Sequence, residues 1–240
     1  MSLSLVIPFY NEEKNIRGVV SGLVNSFENS SIDYELILVN NGSIDESPKI
    51  LENLAKEKPN RIKVAHVLVN QGYGWGIING LKLASSEFIG YMGGDGQIKP
   101  RDVLRVFNCI RNENYDLVKV KRAVRKDGII RRFLSTVFNF LFLVSFNVKT
   151  LDVNGSPKVL KRELVKIICP TSKDWFIDAE IMIKAKYLNL SVAEVPVEFL
   201  RREEGKSHVK SAVILEFAKN MLDYKLGRRM REWKQKAPKS

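Results

Sequence analysis

The sequence predicts an α/β fold in which a mainly parallel central sheet is sandwiched between helices. Three observations carry this prediction. Short apolar runs of strand length recur along the first half of the chain, each is followed by a polar loop, and each loop leads into an amphipathic stretch of helical period. Strands that alternate with helices through short loops are typical of right-handed βαβ units on a parallel sheet. A chain of 240 residues is long enough to bury such a core.

The elements of the first half follow from their apolar spacing. Strands are predicted at Leu3–Pro8, Tyr34–Val39, Ile62–Leu68 and Phe88–Met92. The helices that follow them are predicted to end near Phe27 and to span about Asp45–Lys56, Gly76–Ala84 and 101–112.

The second half is less regular, and its main feature is a stretch, 125–147, that begins basic and becomes largely apolar. Such a helix must pack on the sheet, on another subunit or into a membrane interface. The other predicted elements are a strand at Tyr115–Val120, a loop and short strand within 151–160, a helix at Lys173–Tyr187, a strand at Ser191–Phe199, a charged loop at Arg201–Lys210, a helix at Ser211–Leu226 and a mobile basic tail at Arg228–Ser240. We therefore expect one domain over 1–210, which includes an amphipathic helix at about 129–146, and a C-terminal helix and basic tail over 211–240.

The net charge of +12 is concentrated in two regions. Residues 119–132 carry +6 and residues 201–240 carry +7, so that the rest of the chain sums to −1. Regions of this kind favour phosphates, anionic membrane surfaces or nucleic acid. Because no stacking aromatic residues are interleaved with the basic ones, we do not expect nucleic acid as a partner.

The same features bear on location. No basic segment precedes the first apolar run, as it would in a secretory signal. The longest apolar stretch, 133–146, has 14 residues and contains four Ser, Thr or Asn residues, which makes it too short and too polar to span a bilayer. We therefore expect a cytoplasmic protein that is peripherally associated with a membrane surface.

The fourth predicted strand ends in the loop Gly93-Gly94-Asp95-Gly96, just before Pro100. Gly and Asp are the usual residues of a plain turn, which is one interpretation of this loop. The other is that Asp95 lies at the carboxyl edge of the sheet, where open α/β sheets bind ligands. The loops after the other strands gather at that edge, and together these loops carry Tyr10, Glu12, Asn40, Asn41, Gly72 and Asp95.

With these loops placed, the sequence resembles the family 2 glycosyltransferases, which have the GT-A fold, and within them the polyprenyl-phosphate branch to which dolichol-phosphate mannosyltransferases belong. The resemblance runs from residue 5 to about residue 207. The matching segments, in family order, are Val6-Ile7-Pro8-Phe9-Tyr10-Asn11-Glu12-Glu13, Asn40-Asn41-Gly42-Ser43-Ile44-Asp45, Asn70-Gln71-Gly72, Gly93-Gly94-Asp95-Gly96-Gln97, Asp178-Ala179-Glu180, Val195-Pro196-Val197 and Arg202-Glu203-Glu204-Gly205-Lys206-Ser207.

The resemblance implies a GT-A-like, Rossmann-type sandwich that transfers a sugar, with inversion, from a UDP- or GDP-linked donor. It implies Mg²⁺ or Mn²⁺ as cofactor, with Asp95 and Gln97 at the metal. Independently, Tyr10 offers a stacking face and Glu12 an acceptor for ribose hydroxyls. The residues expected to bind the nucleotide sugar are Pro8, Tyr10, Asn11, Glu12, Asn40, Asn41, Gly72, Asp95 and Gly96.

The chain departs from the family pattern at two places. Asn40-Asn41 stands where the family usually has two aspartates, and Gly93 stands where its metal motif has the first of two aspartates. Both changes remove negative charge from the donor site. They could weaken metal binding, change the base preference or mark a lost activity.

The acceptor decides whether a base is needed. A lipid phosphate is already anionic and needs only groups that hold it, for which the candidates are Arg122, Arg131, Ser135, Arg202 and Lys206. A sugar hydroxyl must lose a proton, for which Asp178 is the candidate catalytic base beside Asp95.

Three alternatives stay open at this point. The acceptor could be a saccharide hydroxyl, the chain could bind nucleotide without turnover, and the basic start of the 125–147 helix could simply be solvated. Glu180 could pair with Lys184 one helical turn later. The expected partners are a nucleotide sugar, a polyprenyl or dolichyl phosphate and a membrane surface, with a second copy of the chain or a membrane protein left open.

Overall fold

The computed structural model describes residues 1–125, 129–200 and 212–237, with side chains over 1–124, 135–200 and 216–237. Seven strands lie within these residues. They are β1 (Ser2–Phe9), β2 (Asp33–Asn41), β3 (Ile62–Val67), β4 (Phe88–Tyr91), β5 (Leu117–Arg125), β6 (Lys158–Lys161) and β7 (Val192–Phe199).

The helices of the described residues alternate with these strands. They are α1 (Ile16–Asn29), α2 (Ser47–Glu57), α3 (Tyr73–Leu81), α4 (Pro100–Glu113), α5 (Ile129–Phe146), α6 (Arg162–Ile168), α7 (Ile177–Tyr187), α8 (Ala212–Leu226) and α9 (Arg228–Lys236). The short helix α6 was not predicted from the sequence.

The strands form one sheet in the order β3-β2-β1-β4-β6-β5-β7. β1 pairs in parallel with both β2 and β4, and β5 pairs in parallel with β7. β6 is antiparallel to both of its neighbours, β4 and β5. The predicted α/β fold with a mainly parallel sheet is therefore confirmed, and the antiparallel insertion of β6 is an addition that only the structure shows.

The sheet separates two apolar cores. Alternate residues of β1 such as Leu5 and Ile7 face the core that includes residues of α1, α2 and α4, while Val6 faces the core that includes residues of α3 and α7. This alternation follows from the two-residue period of a strand. Loops after the parallel strands β1, β2, β3 and β4 consequently meet at one edge of the sheet, as expected.

The sequence predicted a mobile basic tail at 228–240. This prediction is wrong for the first part of the tail, which forms helix α9 and packs on the rest of the protein. Met230 and Trp233, three residues apart on one face of α9, are each only 9% exposed. The indole Nε1 of Trp233 donates to the carbonyl of Ile167 at 3.0 Å. Two apolar anchors at helical spacing thus outweigh the basic composition of this segment.

Helix α5 has two different faces. Phe142 is buried, and the ring of Phe138 meets that of Phe217 on α8 at a centroid distance of 4.9 Å. On the outer side, four apolar residues at positions i, i+3, i+4 and i+7 are 40 to 66% exposed. This exposed stripe consists of Val137, Phe140, Leu141 and Val144. None of the helices in the described part of the chain is both long and apolar enough to cross a membrane.

Candidate functional site

The loops after β1 and β2 are tied together by backbone-to-side-chain hydrogen bonds. The amide of Asn11 donates to Ser43 Oγ at 3.1 Å, and the amide of Ile44 donates to Asn11 Oδ1 at 2.9 Å. One residue later, the amide of Glu12 donates to Ser47 Oγ at 3.1 Å. Asn11 holds a left-handed backbone conformation with φ 53°, which Asn tolerates better than most residues. The predicted nucleotide residues Asn11 and Glu12 are therefore held in one rigid corner.

Asn41 joins the loops after β2 and β3. Its Nδ2 donates to the carbonyl of Gly72 at 2.9 Å, a bond that an aspartate at this position could not make. Its Oδ1 is buried and has no hydrogen-bond partner among the described residues. A buried acceptor without a donor is costly unless a ligand or water supplies one. This atom therefore supports the prediction that Asn41 meets a ligand.

Asn40 is fixed by neighbours on both sides. Its Oδ1 accepts from the amide of Ser43 at 3.0 Å, and its Nδ2 lies 3.2 Å from Nδ1 of His66. The other ring nitrogen of His66 lies 2.7 Å from a carboxylate oxygen of Glu52. These contacts are all satisfied when Nδ1 of His66 accepts from Asn40 and Nε2 donates to Glu52. The amide at position 40 is thus matched to the histidine on the next strand.

Two predicted donor-site residues act through close backbone packing. Gly72 has φ +116°, and a Cβ there would lie 2.4 Å from the carbonyl oxygen of Lys173. Only glycine allows the loop to approach the segment before α7 this closely. Pro8 is buried, and its Cβ lies 2.8 Å from the position that a Cβ on Gly76 would occupy. Tyr10 follows at the end of β1 and is half-buried.

The Asp95 loop packs directly on β1. A Cβ on Gly94 would lie 2.4 Å from the ring of Phe9, and Gly96 has φ +72°. Asp95 Oδ1 accepts from the amide of Gln97 at 3.2 Å. Gln97 also holds the end of β7, because its Nε2 donates to the carbonyl of Leu200 at 2.7 Å and its own carbonyl accepts from the Leu200 amide at 3.0 Å.

The residues present fit a metal that arrives with the nucleotide better than a metal bound by protein alone. Over the described residues, no group of three or more His, Cys, Asp or Glu side chains could hold a metal ion. Mg²⁺ and Mn²⁺ sites of nucleotide enzymes typically take one or two carboxylates, and phosphate oxygens complete the shell. The Asp95 carboxylate is the group that would hold such an ion, and the ion would offset negative charge on the departing diphosphate.

Gly93 leaves room for the carboxylate that the family motif carries. The nearest atom to a Cβ built there is Asp95 Oδ1, at 3.8 Å, which is an ordinary contact. We therefore expect Gly93→Asp to fold and to bind Mn²⁺ together with a nucleoside diphosphate about tenfold more tightly, because a second carboxylate joins the site. Calorimetric titration of Mn²⁺ in the presence of UDP or GDP measures this. Gly93→Ala is the control, and equal affinity in both variants would contradict the expected metal position.

Asp178, the candidate base, is buried and already engaged. The hydroxyl of Tyr91 donates to its Oδ1 at 2.8 Å, and Nζ of Lys158 makes an ion pair with the same oxygen. Lys158 is fully buried, and burial lowers the pKa of its ammonium from the usual 10.5 to about 8, while the charge of Asp178 opposes this change. Asp178 Oδ1 thus already accepts from two buried donors, and the Asp178 carboxylate balances the charge of a buried ammonium.

Two buried tyrosines, Tyr73 and Tyr91, lie near Asp178. Burial raises the pKa of the Tyr73 hydroxyl well above 10, and the charges of Asp178 and Asp95 both add to this increase. Burial and the charge of Asp178 likewise raise the pKa of Tyr91. Tyr73 also stacks on Trp175 with ring centroids 4.5 Å apart. Because the pKa of each hydroxyl is raised, both tyrosines stay neutral hydrogen-bond donors at physiological pH, and Tyr91 is the one that donates to Asp178.

The pairing of Glu180 with Lys184 is confirmed, although it lies in the interior. The two charged atoms are 2.5 Å apart, and both side chains are at most 2% exposed. Glu180 also accepts from the backbone amides of Thr171 and Ser172. It therefore fixes the loop before α7.

The acceptor-side residues are only partly described. Arg122 makes a bidentate ion pair with Asp152, at 2.5 and 2.7 Å, and its guanidinium also lies over the ring of Phe199. Burial alone would raise the pKa of Asp152, but the hydrogen bonds from Arg122 hold it at about 2. Ser135 is half-buried on α5. The side chain of Arg131 lies outside the described residues, as do Arg202 and Lys206.

The basic region 119–132 is less exposed than its composition suggests. Lys119 is fully buried and pairs with Glu194 at 3.0 Å, and it donates to the carbonyl of Asp152. Together with the Arg122 pair, this places two of the charges of this region in internal ion pairs. The positive field expected of this region is therefore partly offset at Lys119 and Arg122, because carboxylates from loops and strands far away in sequence pair with them.

Comparison with known proteins now assigns the family. The sequence model of Glycosyl transferase family 2 matches residues 4–168, which is more than half of the chain. The chain belongs to glycosyl transferase family 2. The predicted enzyme class, a glycosyltransferase, is confirmed by this match. The matched region contains the donor loops, the Asp95 loop and β6, whereas Asp178 lies beyond it.

Two similar proteins illustrate the relationship of this glycosyltransferase to others. It is 29% identical to the dolichyl-phosphate beta-glucosyltransferase ALG5A of Trichomonas vaginalis, over 97% of this chain and 75% of that protein. It is 27% identical to the undecaprenyl-phosphate 4-deoxy-4-formamido-L-arabinose transferase of Photorhabdus laumondii, over 85% of this chain and 62% of that protein. The chain thus spans less than two thirds of the bacterial relative.

Solved structures confirm the expected GT-A-like fold. The glucosyl-3-phosphoglycerate synthase of Mycobacterium tuberculosis, solved with Mn²⁺ and uridine-diphosphate-glucose, is 18% identical and superposes with a TM-score of 0.71 over 100% of this chain and 80% of its own. Another solved structure, described as that of a mycobacterial protein, is 18% identical and superposes with a TM-score of 0.73 over 100% of this chain and 76% of that one. At this level of identity the likeness concerns the fold alone.

Sequence reasoning missed Lys158, Tyr91 and Tyr73 as part of the site. A lysine within the short run Lys158-Val159-Leu160 was the available signal, since a charge in a central strand needs a buried partner. The strand that carries it could not be placed beside β4 from the sequence, because its pairing is antiparallel and non-local. Tyr91 looked like an ordinary apolar strand residue for the same reason.

Proposed function

We propose that this glycosyltransferase moves a sugar, with inversion, from a UDP- or GDP-linked donor to a polyprenyl or dolichyl phosphate at the cytoplasmic face of a membrane. The observation that carries this proposal is the state of Asp178, whose Oδ1 is engaged by buried Lys158 and by Tyr91. An acceptor hydroxyl would need a carboxylate able to take its proton, whereas a phosphate acceptor would not.

The relatives support the lipid-phosphate acceptor. The protein from Trichomonas vaginalis is a dolichyl-phosphate glucosyltransferase, and the bacterial protein is an undecaprenyl-phosphate arabinose transferase. They share a polyprenyl-phosphate acceptor in their names and differ in the sugar. We therefore infer the acceptor class for this chain and leave the sugar to experiment. Arg131, Ser135, Arg202 and Lys206 remain the proposed groups that hold the acceptor phosphate, and Arg122 would join them by exchanging part of its contact with Asp152.

The proposed binding of a nucleotide-sugar donor rests on the loops that follow β1, β2 and β3. The unsatisfied Oδ1 of Asn41, at the end of β2, can accept a hydrogen bond from a hydroxyl or amide of the nucleotide sugar, and Tyr10 and Glu12 follow the neighbouring strand β1. The described geometry holds Asp95 against the same strand through Gly94 and Phe9. We propose Mg²⁺ or Mn²⁺ at Asp95, in keeping with the Mn²⁺ and uridine-diphosphate-glucose bound by the structural neighbour.

The membrane part of the proposal rests on helix α5. Its exposed stripe of Val137, Phe140, Leu141 and Val144 is unusual for a water-facing surface and is continuous along two turns. An amphipathic helix with such a face lies in the interfacial plane of a bilayer. A long polyprenyl chain stays in the bilayer, so a transferase that takes its phosphate must work at that plane.

The test is a transfer assay with UDP- and GDP-sugars, with and without Mg²⁺ or Mn²⁺. The acceptors are a short polyprenyl phosphate, phosphoglyceric acid and neutral saccharides. We expect a metal-dependent, lipid-extractable product with one donor and no product with the two soluble acceptor types. Transfer to a saccharide would contradict the proposal and restore Asp178 as a base. Nucleotide binding without product from any acceptor would show that the loss of charge at Gly93, Asn40 and Asn41 has ended turnover.

A further inference from the structure

An open cleft of about 420 Å³ lies at the opposite end of α7 from Asp178. The C-terminal end of α5, the C-terminal end of α7 and the junction of α8 with α9 form its walls. On α7 the cleft begins at Ile183, which is five residues, or about 7.5 Å along the helix, from Asp178, and its first cation, Lys186, is about 12 Å away. The cleft therefore belongs neither to the donor site nor to the proposed acceptor site.

The cleft is lined by four cations from three helices. Lys186 comes from α7, Lys225 from the end of α8, and Arg231 and Lys234 from α9. No Asp or Glu lines the cleft, and none of the four cations has a carboxylate partner among the described residues. All four are exposed. Four unpaired cations around one concavity create a local positive field that calls for an anion.

The neighbouring contacts show how these cations are held. Nζ of Lys234 lies 4.5 Å from the centroid of the Tyr187 ring, and Arg231 donates to the carbonyl of Leu226 at 2.7 Å. These contacts orient two of the charged groups without cancelling their charge. The cleft is thus partly built before any ligand enters it.

The rim of the cleft is apolar on the side of α5. Val144, which lines the cleft, is 66% exposed and is also the last residue of the exposed stripe. Leu226, between Lys225 and Gly227 at the helix junction, is 67% exposed. A cationic concavity that opens beside exposed aliphatic side chains matches the boundary of a bilayer, where phosphates lie just above acyl chains.

We propose that this cleft binds the phosphate headgroup of an anionic membrane phospholipid. Val144 and Leu226 then lie at the level of the upper acyl chains, and the long side chains of Lys186, Lys225, Arg231 and Lys234 reach the phosphate. This inference rests on the proposed function in one respect, the membrane contact of α5. It adds a second, headgroup-selective contact whose four cations lie outside the region matched by the family.

The experiment compares two double variants with the same change of charge. Lys186→Gln with Lys234→Gln removes two cleft cations, while Arg228→Gln with Lys236→Gln removes two exposed cations of α9 that do not line the cleft. Binding is measured by co-sedimentation with phosphatidylcholine vesicles that contain or lack phosphatidylglycerol. We expect the cleft pair to lower affinity for the anionic vesicles about tenfold or more and the control pair about threefold or less.

A soluble probe distinguishes binding of a phospholipid headgroup in the cleft from binding of other ligands. A short-chain phosphatidylglycerol below its micelle concentration is expected to shift the amide resonances around the cleft, and inorganic phosphate at the same concentration is not. If the two double variants lose equal affinity for the anionic vesicles, the proposal is overturned and the attraction is unspecific and electrostatic. Equal response to inorganic phosphate, or a dimer in wild type that the cleft pair abolishes, would also overturn it.

The two proposals fail in different ways. Transfer to a short polyprenyl phosphate is measured in detergent, without vesicles, and the cleft pair is expected to retain wild-type turnover there. If wild type makes lipid-linked product but both pairs bind vesicles alike, the headgroup site is wrong and the proposed function stands. If wild type makes no product while the cleft pair alone loses vesicle binding, the proposed function is wrong and the headgroup site stands.

Discussion

Asp95→Ala is expected to lower sugar transfer about a thousandfold while the protein stays folded. The Asp95 carboxylate is the group that would hold the metal against the leaving diphosphate, and metal stabilisation of such charge is worth several kcal/mol. At about 1.4 kcal/mol for each factor of ten, the loss amounts to roughly three orders of magnitude. The measurement is turnover at saturating donor, followed by calorimetry of Mn²⁺ with the nucleoside diphosphate, where the variant should show no metal-dependent gain in affinity.

A control variant distinguishes the effect of the Asp95 charge from the effect of its hydrogen bond within the loop. Asp95 Oδ1 accepts the amide of Gln97, and Asp95→Asn retains an oxygen that can do the same. We therefore expect Asp95→Asn to keep the thermal stability of wild type and yet to be as inactive as Asp95→Ala. Activity near wild type in Asp95→Asn would show that the carboxylate serves the loop and that the metal, if one binds, is held elsewhere.

Asp178→Asn is expected to destabilise the fold by about 3 kcal/mol or more, because it leaves the buried ammonium of Lys158 without its counter-charge. Chemical denaturation measures this loss. Adding Lys158→Met removes the unpaired charge, so the double variant should recover most of the lost free energy of unfolding. A double variant less stable than Asp178→Asn would contradict this account of the pair.

The pH dependence of this variant follows from Lys158. Burial already lowers the pKa of Lys158 to about 8 in the presence of Asp178, and without the carboxylate it falls further. The folded variant then holds a neutral lysine, whereas the unfolded chain keeps its proton up to about pH 10.5. Below about pH 8 the folded wild type keeps the proton on Lys158 while the folded variant has lost it, so the cost of Asp178→Asn should shrink as the pH rises towards about 8 and stay constant from there to about pH 10. If the loss of stability caused by Asp178→Asn does not change with pH, the charge of Lys158 is not its cause.

The double variant also distinguishes the two acceptor classes. If the acceptor is a lipid phosphate, the folded double variant should still transfer sugar to a short polyprenyl phosphate, since no base is removed. If the acceptor is a hydroxyl, transfer should be lost at every pH. Because stability is restored in the double variant, loss of activity cannot be attributed to unfolding, which the single variant alone would leave ambiguous.

Much of the donor site could be predicted because it depends on local order along the chain. Each apolar strand is followed by its own polar loop, so residues such as Asn11, Asn41 and Asp95 reach one edge through the parallel topology alone. Their family motifs lie in the same order. What could not be predicted was how these side chains are used. Asn41 bridges to the backbone of Gly72, which gives a structural reason for an amide where the family has a carboxylate.

Periodicity and motifs of adjacent residues were enough to predict the α/β class, the edge at which the loops meet, the glycosyltransferase family and the apolar helix α5. They did not predict that β6 runs antiparallel beside β4, that Lys158 therefore meets Asp178, or that Met230 and Trp233 anchor the start of the basic tail as helix α9. The physical reason is the same in each case. A buried ion pair or an apolar anchor depends on partners distant in sequence, and their proximity is set by packing rather than by the local pattern.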